Sequence, residues 1–175
     1  MNGTRLLICV LLLFGINVLA SDVQKSTGKE ALEFTLEDQY ARSWSWSDHW
    51  KGKPTVVVMS DWKGYSHVDN WTKPLTNRFK GRVQFLAIAD LSLTQEAPSF
   101  MLPSLQGTLR ERFREAFQHS ILMDWEGITF KYYLIQEGLP NVLYIDASGI
   151  VRLHTWGKGS DDHVAKFADY LERRL

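Results

Sequence analysis

An eight-residue run from Ser60 to His67 (SDWKGYSH) carries most of the side chains in this chain whose types and spacing could do chemistry. Its hydroxyls, amine, carboxylate and imidazole are groups that enzymes use as nucleophiles, bases or metal ligands. Lys63 could be a reactive amine, because Ser60 and Lys63 have the spacing of a Ser-x-x-Lys motif. That pattern is a frequent chance match, and no supporting acyl-transfer motif occurs elsewhere in the chain. We therefore interpret Lys63 as a solvated loop lysine and predict no catalytic residue.

The same run raises the question of a metal site, because His67 and Asp69, with Asp61 nearby, could supply nitrogen and oxygen ligands. Soft sulfur ligands are missing, and two or three scattered donors make a weak site. The remaining histidines show no metal-binding spacing with one another: His49, His119, His154 and His163. We predict neither a metal nor any other cofactor.

The single cysteine of the chain, Cys9, lies in an N-terminal apolar segment. One positive charge, an apolar run over 6–13 and a small-residue boundary at Ala20 and Ser21 are typical of a secretory signal peptide. The run is shorter than the roughly 20 apolar residues that span a bilayer. We predict a signal peptide over 1–20 and a mature protein without any thiol, exported to a periplasm or secreted. An uncleaved anchor is the alternative.

The length and charge of the chain limit the number of domains and the classes of partner that it can have. Removing 20 residues from 175 leaves 155, enough for one domain with a sizeable core. Lys plus Arg and Asp plus Glu are both 20, and loss of Arg5 leaves 19 against 20, a formal charge of −1. Without a basic excess we predict no nucleic-acid partner and, after signal cleavage, no membrane partner. We expect a flexible entry segment over 21–32 before a domain over 33–175.

Hydrophobic periodicity predicts the strands and helices that must position the run from Ser60 to His67. Alternating or uninterrupted apolar residues predict strands at 33–38, 43–47, 55–59 and 83–89, the last two buried on both faces. Helical spacing predicts a helix from Val68 to Phe79, kinked at Pro74. A strand, a helix and another strand imply a parallel crossover.

The second half predicts two more helices and a hairpin. Thr108 and Glu111 have capping-box spacing for a helix to about Gln118, with Leu109, Phe113 and Phe117 on one face. A short strand ahead of Asp124, a helical turn over 127–133 and hairpin strands over 141–146 and 150–154 follow. Ser160 can cap a last helix. Its predicted buried stripe is Val164, Phe167, Ala168, Leu171 and Leu175.

From Phe34 onward, this order of elements resembles the thioredoxin-like superfamily, specifically exported TlpA-type and peroxiredoxin-type redoxins. The strongest motifs are Leu122-Met-Asp124, the GLPNVLYIDASG run over 138–149, and Trp156-Gly157. The resemblance implies an α/β thioredoxin-like fold, a central mixed β-sheet flanked by helices. It also implies a cis peptide bond between Leu139 and Pro140, facing the active site.

The active-site turn departs from that family pattern. In such proteins a Trp-Cys-x-x-Cys turn at a helix N-terminus stabilises a thiolate. Aligning on Trp62 puts Lys63 and Ser66 in the cysteine places, whereas aligning on Pro74 puts Ser66 and Asp69 there. Neither alignment contains sulfur, so the mature chain cannot carry out a thiol–disulfide or peroxidase cycle by itself. The spacing from Gly64 to Pro74 also resembles YtfJ-type proteins, periplasmic thioredoxin-like chains that lack the cysteine pair.

The resemblance leaves two hypotheses of different classes. The first is a non-enzymatic module that binds a protein or peptide through the vestigial active-site face. Its candidate residues are Trp62, Lys63, Tyr65, Ser66, Leu139 and Pro140. Trp71 is either a further contact or part of the helix core. The second is a redoxin-family oxidoreductase component that acts only with a partner or a cofactor.

Overall fold

A computed structural model describes residues 25–175, so the predicted signal peptide and Cys9 lie outside the described residues. Within the described part of the chain, no helix is long and apolar enough to cross a bilayer.

The described residues form one seven-stranded sheet with the strand order β2-β1-β5-β4-β3-β6-β7. The strands are β1 (Thr35–Asp38), β2 (Ser43–Ser45), β3 (Thr55–Ser60), β4 (Gln84–Asp90), β5 (Leu122–Asp124), β6 (Asn141–Ile145) and β7 (Val151–Trp156). The helices are α1 (Trp46–His49), α2 (Val68–Phe79), α3 (Leu102–Ala116), α4 (Ile128–Tyr133) and α5 (Asp161–Glu172). Strand β4 runs parallel to β3 and β5, and the other pairs are antiparallel. The predicted α/β class and mixed sheet are confirmed.

The core lies on both faces of β3, whose six residues are all buried as the uninterrupted apolar run predicts. On one face, Val56 and Val58 pack with residues of α2 and α5. On the other face, Val57 and Met59 pack with the tryptophans around α1 and with α4. Trp71 has no exposed surface, so of its two predicted roles, a further contact or part of the helix core, the structure shows the second.

Strand β4 is less buried than predicted. Phe85, Ala87 and Ala89 alternate with buried residues and are partly exposed. Only the end of β4, from Ile88 to Asp90, pairs with β5, and helix α3 has no buried residue. The prediction of burial on both faces was wrong because α3 does not fully cover this face of the sheet.

Two element boundaries differ from the predictions because local interactions decide them. Strand β2 ends at Ser45, whose hydroxyl accepts a bond from the backbone N–H of Asp48 and so caps α1. Helix α3 begins six residues before Thr108, and the Thr108 hydroxyl donates to the Ser104 carbonyl inside the helix. The predicted capping box is therefore not formed. Instead, a proline in the first turn fits the start of α3.

The last helix starts where predicted but ends earlier. Ser160 holds the N-cap position without a side-chain cap bond, and the acidic residues of the first turn complement the helix dipole instead. Val164, Phe167, Ala168 and Leu171 are buried as predicted. Leu175 is exposed because α5 ends at Glu172.

The described part of the entry segment is hydrogen-bonded to the hairpin of β6 and β7. The backbone N–H of Gly28 donates to Val151 O at 2.8 Å, and that of Val151 donates to Lys29 O at 2.9 Å. Ser26 is fully buried. The sequence predicted a flexible segment because these residues are polar. Long-range backbone pairing, which composition does not encode, holds residues 26–31 in place.

Candidate functional site

The turn after β3 presents the predicted contact residues to solvent. Trp62 is 67% exposed and Tyr65 is 48% exposed, and Lys63 and Ser66 beside them are exposed as well. The Lys63 amine lies 5.8 Å from the ring centroid of Trp62, within the range of a weak cation–π contact. The turn therefore displays two large aromatic side chains that the core does not use.

Asp61 bonds both to this turn and to the loop before β6. Its Oδ1 accepts the backbone N–H of Gly64 at 2.8 Å, and its Oδ2 accepts the backbone N–H of Gly138 at 2.8 Å. Hydrogen bonds to an ionised acceptor are stronger than neutral ones. One carboxylate thus joins the turn after β3 to the loop before β6.

Gly64 brings the same two segments into backbone contact. A Cβ atom at this position would lie 2.7 Å from the carbonyl carbon of Leu139 and 2.7 Å from Ser60 Oγ. Gly64 has no positive φ, so the requirement for glycine is space. The turn and Leu139, which are 75 residues apart in sequence, lie together as the predicted face requires.

The predicted cis-proline is wrong: no peptide bond among residues 25–175 is cis, so the Leu139–Pro140 bond is trans. The loop is shaped instead by Asn141, whose side chain donates to Gln136 O and Leu139 O and accepts from Gln136 N. Pro140 is buried, and its carbonyl accepts from the backbone N–H of Gly157. The carbonyls of Leu139 and Pro140 both accept bonds from within the chain, so part of the backbone that strand-like pairing with a peptide would use is already engaged.

A buried hydrogen-bonded chain lies behind the loop. His154 Nε2 is 3.2 Å from Asn141 Oδ1, and His154 Nδ1 is 2.9 Å from Ser26 Oγ. Asn141 Oδ1 can only accept, so Nε2 carries the proton and Nδ1 accepts from the Ser26 hydroxyl. Burial, with the nearby charges of Lys25 and Lys29, lowers the pKa of His154 to about 4. His154 is therefore neutral at physiological pH and links the entry segment to the loop.

A cavity of about 280 Å³ opens between α2 and α3, beside Trp62 and Tyr65. We call it the α2–α3 cavity. Its buried lining residues are Val58, Ser60, Ile88, Leu91 and Ile121, and α3 contributes Leu109, Arg112, Phe113, Ala116 and Phe117. The ring of Tyr65 meets that of Phe117 edge-on at 5.7 Å. The helical spacing of Leu109, Phe113 and Phe117 identified this face of α3, but only the fold shows that it borders the turn.

The two carboxylates among the candidate metal ligands have other partners. Both carboxylate oxygens of Asp61 accept backbone bonds, and Asp69 pairs with Lys73 at 2.7 Å. Among residues 25–175, no group of three or more His, Cys, Asp and Glu side chains is placed to hold a metal ion.

The two possible alignments of the cysteine places can be compared with the position of the α2 N-terminus. Ser66 lies in a short 3₁₀ turn over Tyr65–His67, and Asp69 lies in the first turn of α2. Lys63 belongs to the turn that precedes both. Ser66 and Asp69 therefore lie where backbone N–H groups of the helix start are found.

Solved structures with this arrangement of strands and helices are thioredoxin-like proteins. A protein designated thiol:disulfide interchange protein DsbE from Chlorobium tepidum has a TM-score of 0.60 at 20% identity, over 83% of this chain and 96% of that chain. The exposed lipoprotein thioredoxin of Streptococcus pneumoniae has a TM-score of 0.60 at 14% identity, over 79% and 99%. The peroxidoxin BcpB of Mycobacterium tuberculosis has a TM-score of 0.58 at 18% identity, over 86% and 97%.

The chain has the thioredoxin-like fold. At these identities the likeness concerns the fold alone. No protein-family model matches the sequence, and no curated protein matches it either.

Proposed function

We propose that this protein is an exported, non-enzymatic module that binds a protein or peptide partner through its vestigial active-site face. We define that face by Trp62, Lys63, Tyr65, Ser66 and Leu139, with Pro140 buried beneath it. The observation that carries the proposal is the exposure of Trp62 and Tyr65 in a turn that Asp61 and Gly64 fix against the loop at Leu139. Rigid, exposed aromatic side chains are typical anchors of protein interfaces.

The mode of binding differs from strand addition. The carbonyls of Leu139 and Pro140 already accept bonds from Asn141 and Gly157. The partner therefore contacts side chains, with Trp62 and Tyr65 as apolar anchors and the amine of Lys63 at the edge. Anchors of this kind contribute most of the free energy of binding in many interfaces.

The absence of a cysteine thiol from residues 25–175 supports a role without redox turnover. The only cysteine in the sequence is Cys9, so residues 25–175 contain none. Thiol–disulfide exchange requires a thiolate that attacks a disulfide. The solved structures of similar fold include proteins whose names denote that exchange, and one named as an exposed lipoprotein. Export of this chain, with cleavage after Ala20, is part of the proposal.

Co-purification from the exported fraction of cells that make the full chain tests the binding role. We expect a partner to be captured in a defined ratio, and the double substitution W62A/Y65A to reduce capture by at least tenfold. Phe100→Ala is the matched control, because Phe100 is 83% exposed and lies outside the face. Equal capture by W62A/Y65A and the native protein, with both folded by circular dichroism, would contradict the proposal.

An insulin-reduction assay separates the alternative, an oxidoreductase component that acts only with another subunit or a cofactor. We expect the purified mature chain to be inactive, with or without the captured partner. Reduction that appears only when the partner is added, and that W62A/Y65A abolishes, would favour the alternative.

A further inference from the structure

The α2–α3 cavity is apolar at its base. The buried side chains of Val58, Ile88, Leu91 and Ile121 line it, and Leu109 and Phe113 of α3 close one side. Its volume of about 280 Å³ lies near the lower end of small-molecule sites, which start at about 300 Å³. The one hydroxyl at the base, Ser60 Oγ, donates to the carbonyl of Asp61. The base therefore suits a hydrocarbon group rather than a polar one.

The acidic residues around the cavity already have partners. Asp61 accepts from two backbone N–H groups, and Asp69 pairs with Lys73. Asp90 accepts from the backbone N–H of Ser92 at 2.9 Å. Of the three, only Asp69 is paired with a cationic side chain, because the donors to Asp61 and Asp90 are neutral backbone N–H groups. An anionic head is therefore favoured beside Arg112 and disfavoured beside Asp61 and Asp90.

The exposed rim carries hydrogen-bond donors that remain open. Arg112, His119 and Tyr65 line the cavity and are exposed. Within residues 25–175, the guanidinium of Arg112 has no ion pair or hydrogen bond, unlike Arg110 and Arg114 on the same helix. The Tyr65 hydroxyl and the His119 ring nitrogens likewise have no hydrogen-bond partner in this part of the chain. An apolar cavity below a rim of open donors is complementary to a molecule with a hydrocarbon tail and an anionic head.

We propose that the α2–α3 cavity binds an aliphatic monocarboxylate, with the chain against Val58, Leu109 and Phe113 and the carboxylate at Arg112. The guanidinium can pair with both oxygens of a carboxylate, a geometry that a point charge does not provide. The site shares Tyr65 and Trp62 with the vestigial face, but it does not depend on the proposed partner. Binding of the acid and capture of a protein can fail or succeed separately.

Isothermal titration of the purified chain with sodium decanoate, below the concentration at which decanoate self-associates, tests this site. We expect saturable binding of one decanoate. Acetate, which lacks the chain, should not bind, and decanol, which lacks the charge, should bind at least tenfold more weakly. A difference of tenfold is about 1.4 kcal/mol, the lower range for a charge-assisted hydrogen bond.

Two substitutions test separately the contribution of the Arg112 charge and that of the space in the cavity. Arg112→Gln should weaken decanoate binding by tenfold or more and leave decanol unaffected. Arg173→Gln is the matched control, because Arg173 is exposed at the end of α5 and does not line the cavity. Ala116→Phe should weaken both ligands by filling the cavity. Absence of saturable decanoate binding, or equal affinities of the two arginine variants, would overturn the proposal, provided that the thermal unfolding midpoints show folded variants.

Discussion

At the residue scale, the geometry of the face depends on Asp61 and Gly64 more than on the exposed residues it displays. Asp61 joins the turn to Gly138, and Gly64 allows the backbone of Leu139 to approach. Neither residue was predicted as part of this contact, because a short polar turn does not encode its distant neighbour. A substitution at either position should change the face without removing a contact residue.

Gly64→Ala should lower the free energy of unfolding by about 1–3 kcal/mol, the range for overpacking. The added methyl would lie within 3.0 Å of two backbone atoms of Leu139 and must displace the loop. Urea denaturation monitored by circular dichroism measures the loss.

Gly107→Ala is the matched control for that substitution, because a Cβ at Gly107 meets nothing within 4 Å and the residue lies inside α3. It should raise the free energy of unfolding by about 0.5–1 kcal/mol. Equal changes in the free energy of unfolding for Gly64→Ala and Gly107→Ala would show that the contact between the turn and Leu139 does not require a glycine at position 64.

At the element scale, the entry segment is joined to the loop before β6 through β7. Ser26, His154 and Asn141 form this connection, and all three are buried. The neutral imidazole donates to Asn141 and accepts from Ser26, so protonation of His154 would place a charge in a buried position and remove the acceptor for Ser26. The connection is therefore sensitive to acid.

Lowering the pH from about 6.5 to about 4 should destabilise the protein by up to about 3 kcal/mol through His154. Its pKa is about 4 in the folded protein and about 6.5 when unfolded, so between these values the unfolded chain binds a proton that the folded chain does not. The contribution is fully present above the unfolded pKa and is lost as the pH falls through this window. Urea denaturation at a series of pH values measures it.

His154→Gln should flatten that pH dependence while lowering stability at neutral pH. His119→Gln is the control, because His119 is exposed and should leave the slope unchanged. A native-like slope in His154→Gln would show that another group titrates in this window.

Helix α3 should be the least protected of the long helices. It has no buried residue, whereas α2 buries Trp71, Leu75 and Phe79. Its arginines hold it to the end of β1, with Arg110 donating to Asp38 O and Arg114 to Gln39 O. Native-state hydrogen exchange should give lower opening free energies for amides of α3 than for those of α2. Equal protection would indicate that α3 packs on the sheet more tightly than its exposure implies.

At the scale of the whole molecule, the described chain depends on packing and hydrogen bonding without a disulfide. The two faces of the sheet form two apolar clusters, and no buried side-chain polar atom of the described residues lacks a hydrogen-bond partner. A protein of this kind should be insensitive to redox conditions. If the protein is cleaved after Ala20 as we propose, its thermal unfolding midpoint should be unchanged by excess dithiothreitol. A shift on reduction would mean that Cys9 is retained and forms an intermolecular disulfide.

Much of the fold could be predicted because its signals are local. The uninterrupted run over Thr55–Ser60 identified the buried central strand, and the spacing of Trp71, Leu75 and Phe79 identified the buried face of α2. Element ends were less predictable. The hydroxyl of Ser45 caps a helix that period-two alternation had assigned to a strand, because a single hydrogen bond can outweigh a short pattern.

The sequence by itself determined the main strands and helices, the exposure of Lys63 and the absence of cysteine after Cys9, because these follow from periodicity, composition and residue type. The mixed sheet was predicted through the resemblance to the thioredoxin-like superfamily. Only the tertiary structure decided that the Leu139–Pro140 bond is trans, that Asp61 and Gly64 join the turn to the loop, and that α3 leaves a cavity beside it. The physical reason is the distance along the sequence over which each effect acts. Propensity and pattern act over a few residues, whereas close backbone approach and incomplete helix packing arise between segments that are distant in the sequence.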